Sequence, residues 1–158
     1  MPHDEIWRRI RTEATEAAET EPALASYLHT VVLAHDRLED ALSYLLASKL
    51  GSPTITSLTL RSLIDRAFAD DRAIGIAFRE DLRAVLSRDP ATRGYSVPLL
   101  YFKGFHALQA YRVAHHYWLN GRPQLALYLQ SRISEVFAVD IHPGATIGKG
   151  ILFDHATS

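Results

Sequence analysis

The repeat length of this chain changes near residue 140, and no single regular element can satisfy both halves. Up to Phe137 the apolar residues recur at helical spacing. From there the chain reads "VDIHPGATIGKGILFDHATS" (139–158), with Ile141, Ile147 and Phe153 six residues apart. A period of six belongs neither to a helix nor to a simple alternating strand. It fits a left-handed parallel β-helix, in which each hexad is one face of a triangular coil and its aliphatic residue points inward. Pro143, Gly144, Ala145 and Gly150 supply the small or turn-forming residues between. Three hexads close one coil, so residues 141–158 amount to about one, too little to bury a solenoid core. Spacing alone is equally compatible with a loop. The expected fold is mainly α: a multi-helix N-terminal domain over 1–138, then the first, incomplete coil of a left-handed parallel β-helix over 139–158.

The helical part divides at recognisable punctuation. Asp4 is placed to cap a first helix with Ile6, Trp7 and Ile10 on one stripe. Pro22 opens a second, with Leu24, Tyr27, Leu28, Val31 and Val32 on one side. Asp36 is expected to cap a third, carrying Leu38, Leu42, Leu45 and Leu46 and ending at Gly51. A fourth is predicted over Ser57–Ala69, and a fifth from about Asp71 to Ser87 with Ile74, Phe78, Leu82 and Val85 inward. Pro90 and Gly94 break the pattern. Ser96 should then cap one long helix through "LLYFKGFHALQAYRVAHHYWL", and "PQLALYLQSRISEVFAV" forms the last. These stripes are expected to pack on one another and not on the coil.

Composition removes several classes of function. The 158 residues carry a formal net charge of -1, so no overall field favours nucleic acid or an anionic membrane. There is no cysteine, hence neither a disulfide framework nor thiolate chemistry. The charged opening "MPHDEIWRRIRTEATEAAETEP" has no apolar core of a signal peptide, and no stretch approaches a membrane span. A cytoplasmic location is the expectation. No P-loop or GxGxxG is present, and Gly75 and Gly104 read as close-packing positions within helices. His115 and His116 are adjacent on a helix and cannot share a metal. His106 suits packing or a helix hydrogen bond, and His142 a structural place at the start of the coil. No metal site is expected.

Three stretches together, "RDPA" (88–91), "LLYFKGFHALQAYR" (99–112) and "VDIHPGATIGKGILFDHAT" (139–157), resemble the serine acetyltransferases, a family of hexapeptide-repeat acyltransferases. "EPALASYLHTVVLAHDRLEDALSYLLASKLGSP" resembles the family's helical N-terminal region, so the likeness covers nearly the whole chain. The resemblance implies transfer of acetyl from acetyl-CoA, as co-substrate, to the L-serine hydroxyl, giving O-acetylserine for cysteine biosynthesis; no permanently bound cofactor is implied. His155 matches the catalytic histidine and Asp140 the acid that orients it. A coil of eighteen residues lets two positions fifteen apart reach neighbouring edges of the prism, and a carboxylate on one imidazole nitrogen leaves the other free to take a proton. Asp89 and Asp154 match the acids that hold the substrate ammonium. Read without the family, both are ordinary turn acids.

The family further implies a trimer-based homo-oligomer, and O-acetylserine sulfhydrylase as a partner docked through a C-terminal tail. It implies more coils and that tail beyond Ser158, so residues 1–158 alone are expected to acetylate serine weakly or not at all. Two other readings stay open: a non-catalytic helical oligomerisation module, and another hexapeptide acyltransferase acting on a sugar or a different amino acid.

Overall fold

The computed structural model describes residues 4–89 and 91–151. Among them are eight α-helices and no β-strand. Asp4 caps α1 (Glu5–Thr20), its Oδ1 accepting from the Trp7 N–H at 3.3 Å. The second helix is composite: a 3-10 turn (Pro22–Leu24), α2 (Ala25–Leu28) and a π-helical turn (His29–Leu33). Tighter then wider winding shifts the phase of its stripe. Leu28, Val31 and Val32 are buried, but Leu24 and Tyr27, expected on the same side, are exposed. Arg11 of α1 closes the far end by donating to the Leu33 and His35 carbonyls, at 3.2 and 2.6 Å.

The third helix, α3 (Leu38–Leu50), corrects one expectation: Asp36 is not its cap. Arg37 holds the N-cap position without a side-chain bond, and the Asp36 carbonyl instead accepts from the Trp7 indole at 2.9 Å. Gly51 does end α3, though in extended backbone. Its missing side chain matters because a Cβ there would lie 2.3 Å from Ser57 Oγ. α4 (Ser57–Asp70) is capped by Thr56, and α5 (Arg72–Arg88) by Asp71.

The long helix expected from Ser96 onward is two. α6 (Ser96–Tyr101) and α7 (Lys103–Leu119) are separated at Phe102, whose backbone is extended. The Leu99 carbonyl accepts from His106 Nε2 at 2.6 Å, so a side chain bridges the break. Ser96 does not cap either helix; its own N–H donates to Glu13 Oε1 of α1 at 2.8 Å. α7 is the axis of the molecule, buried on every side from Gly104 to Ala114, as a helix without a polar face must be. α8 (Pro123–Phe137) packs along it, burying Ala126, Leu129, Ile133 and Phe137. α3 and α4 form a second pair, and α1 and α5 close the bundle.

Ala138 ends α8 with φ 60°, a left-handed conformation in a residue with a side chain. The chain turns there into residues 139–151. They do not form the expected strands. A lone coil has no coil above or below to complete a ladder. Its backbone groups bond to helix side chains instead.

Candidate functional site

Asp140 lies just past the left-handed turn, exposed, its Oδ1 accepting from Gln130 Nε2 of α8 at 2.8 Å. A shallow concavity of about 380 Å³ opens beside it, lined by Gln130, Ser131, Ser134 and Glu135 among others. Asp89 sits at the far end of α5, in extended backbone, as the helix's C-cap. Both its oxygens serve the local turn: Oδ1 accepts from the Ala91 N–H at 3.1 Å, Oδ2 from the Thr92 hydroxyl at 2.9 Å. Asp154 and His155 lie outside the described residues.

Residues 142–151 join these two places by running back along α7. His142 packs edge-on against Trp118, centroids 4.8 Å apart, while its Nδ1 accepts from the Gly144 N–H at 2.9 Å. His115 Nδ1 donates to the Pro143 carbonyl at 2.7 Å, and the Tyr111 hydroxyl donates to the Ala145 carbonyl. Arg112 Nη2 reaches the Gly148 carbonyl at 2.8 Å, with Nη1 on Ile147 at 3.4 Å. Arg88 Nη1 then donates to the Gly150 carbonyl at 3.0 Å. The segment therefore finishes against the end of α5 that carries Asp89, four residues before His155. Helix side chains thus bond to residues 143–151, where the helices were expected to pack on one another and not on this segment.

Beneath it lies a buried polar cluster. Asp81 of α5 is wholly buried and Arg112 of α7 nearly so, with Arg112 Nη2 2.7 Å from Asp81 Oδ2. Gln109, also fully buried, donates from Nε2 to that oxygen at 2.7 Å and accepts from Arg112 Nε at 3.0 Å. The other carboxylate oxygen, Oδ1, accepts from the Ile151 N–H at 2.8 Å. Desolvated charges persist only where each is paired and hydrogen-bonded, and here both are. Sequence reasoning missed the cluster, though its signal was present. Asp81 falls on the stripe of Ile74, Phe78, Leu82 and Val85, and Gln109 and Arg112 interrupt an apolar run. A carboxylate on an apolar face demands a buried partner.

His116 faces a different place. An open cleft of about 780 Å³ between α4 and the end of α7 is lined by Arg66, Asp70, His116 and Arg122, away from Asp140 and Asp89. Among the described residues no group of histidines and acids is set to hold a metal, and no helix is long and apolar enough to cross a membrane.

Residues 6–110 match the family model for the N-terminal region of serine acetyltransferase. Serine acetyltransferase of Haemophilus influenzae is 52% identical over 97% of this chain, which spans 57% of that protein. A solved serine acetyltransferase in complex with CoA is 52% identical, with a TM-score of 0.95 over 97% of this chain and 65% of its own. Soybean serine acetyltransferase complexed with serine is 55% identical, with a TM-score of 0.93 over 96% of this chain and 63% of its own. The family model covers the helices as far as residue 110 and the relatives cover nearly the whole chain, and the chain belongs to the serine acetyltransferase family.

Proposed function

We propose that the protein to which this chain contributes transfers acetyl from acetyl-CoA to the hydroxyl of L-serine. The observation that carries the reading is the extent of the likeness: it runs through the hexads as well as the helices, at 52% identity over 97% of the chain. Residues 1–138 are the helical domain and 139–158 the opening of the hexapeptide-repeat domain. The relatives solved with CoA and with serine support the two substrates.

In the proposed reaction His155 takes the proton from the serine hydroxyl as that oxygen attacks the thioester carbonyl. Asp140 holds the other imidazole nitrogen and stabilises the imidazolium. As the tetrahedral adduct collapses, the carbon–sulfur bond breaks and the imidazolium returns its proton to the departing thiolate. The products are O-acetylserine and CoA. Asp89 and Asp154 pair with the substrate ammonium. For Asp89 this asks one carboxylate to serve a turn and a ligand together, which its remaining lone pairs allow.

We assign assembly of copies to the helical domain, where Leu24, Tyr27 and Tyr101 form an exposed apolar patch with the two tyrosine rings stacked at 6.4 Å. A cytoplasmic setting agrees with a cysteine-free chain. The test is serine-dependent release of CoA from acetyl-CoA by the chain joined to the remainder of the Haemophilus influenzae relative, with homoserine and an amino sugar as competing acceptors. Turnover of either competitor in preference to serine would replace the substrate assignment. Residues 1–158 alone are expected to turn over far more slowly.

A further inference from the structure

We propose that the buried Asp81–Gln109–Arg112 cluster is a positioning device: it sets the register in which the hexads leave the helical platform, and through that register the place of His155. The role rests on the acetyltransferase reading above. Its geometry does not.

The cluster grips the segment from both polarities of the backbone. Arg112 donates to the Gly148 carbonyl at 2.8 Å, and Asp81 accepts from the Ile151 N–H at 2.8 Å. These two groups sit three residues apart on the segment and are held by two side chains that are themselves ion-paired. Gln109 locks the pair from the remaining side, using both ends of its amide. A slip of one residue would turn a carbonyl to where Asp81 offers an acceptor and an N–H to where Arg112 offers a donor, and leave two buried charges short of partners. Such groups tolerate no near-miss, because a buried unpaired donor or acceptor loses its water with nothing in exchange. The contacts elsewhere along the segment are less discriminating: His115 and Tyr111 each donate to a single carbonyl. Among the described residues, only the cluster bonds both a donor and an acceptor of the segment.

Leverage makes this register matter. His155 follows Ile151 by four residues, a tether that can span at most about 14 Å, so an error at Ile151 is carried to the base. A reacting group displaced by about 1 Å loses on the order of 10²-fold in rate. The cluster touches no substrate; it acts through the backbone it holds.

The experiment compares two conservative variants with a control. Arg112→Lys keeps a cation opposite Asp81 but loses the fork that also reaches Gly148. Asp81→Asn keeps the size and turns an acceptor into a donor. Leu42→Ala, in the fully buried core of α3, weakens the fold at a site remote from the segment. In the 158-residue chain, amide exchange at 147–151 should accelerate at least ~10-fold in the two cluster variants and stay parental in Leu42→Ala. In the chain joined to the remainder of the Haemophilus influenzae relative, kcat should fall ~10- to 100-fold, with KM for acetyl-CoA within about twofold of the parent. Should Asp81→Asn not fold, Arg112→Lys carries the test. Parental kcat in Arg112→Lys, or an equal loss in Leu42→Ala, overturns the positioning role and leaves the acetyltransferase reading standing. A parent that releases no CoA with serine removes both.

Discussion

Ala138 carries one of the few unfavourable backbone states in the molecule. A left-handed conformation costs an L-residue roughly 1–2 kcal/mol, and glycine escapes it at an entropic cost of about 0.4–1 kcal/mol. Ala138→Gly should therefore stabilise by about 0.5 kcal/mol and raise Tm by about 1–2 °C, read in a thermal melt. His106 acts in the opposite sense as pH falls. Burial, only partly offset by its bond to the Leu99 carbonyl, pushes it down to about 4. Between that value and the ordinary 6.5 the unfolded chain binds the proton and the folded chain does not. Stability is then full above about pH 6.5 and is lost on descent towards pH 4, by up to about 3 kcal/mol. His106→Gln should flatten that slope in urea titrations at pH 4.5 and 7. At the proposed site, His155→Ala in the continued chain should lower kcat ~10²- to 10⁴-fold, with Asp140→Asn in the same direction. Asp89→Ala should raise KM for serine and leave acetyl-CoA binding unchanged; a fall in acetyl-CoA affinity would show Asp89 only shaping its turn.

Between elements, charge does more than the stripes revealed. Arg79 of α5 bonds Asp4 at the start of α1, 2.5 Å, and Glu39 of α3, 2.9 and 3.0 Å, and so ties three helices at one point. Gly75 makes room, since a Cβ there would come within 3.0 Å of Glu39 Oε2. Burial works to raise both acids, but the Arg79 hydrogen bonds and charge prevail and hold them below their ordinary values. Their contribution is present above about pH 4 and disappears as pH falls through the lowered values. Arg79→Met should lower Tm at pH 7 and narrow the gap between pH 7 and pH 3. Helix positions were legible in the sequence because each is written several times over, in stripe, cap and breaker together. The break at Phe102 was not: nothing local interrupts "LLYFKGFH", and what ends α6 is a side chain, His106, taking the Leu99 carbonyl that a continuing helix would have used. Of the site, Asp140 and Asp89 were readable only through family likeness, and Asp81 and Arg112 only by asking what a charge does on an apolar face.

At the scale of the whole molecule, helix dominates, and far-UV circular dichroism should show it. Ending the chain at Ala138 would uncover Tyr111, Arg112 and Asp81, each now bonded to the segment 145–151. With net hydrogen bonds worth about 1 kcal/mol apiece, such a chain should lose about 2–4 kcal/mol while keeping its helical spectrum. A Tm unmoved by the truncation would mean the segment only rests on the surface. Seating of the hexads on α7 also has a meaning in time. Every residue that receives the segment precedes it in the chain, so during synthesis the landing surface has emerged before the first hexad does. Solenoids are slow to start, because the first turn has no neighbour to copy, and quick to extend once one turn is in place. The helical bundle supplies that missing neighbour. Residues 142–151 thus meet, as they emerge, a surface of helices that is already folded.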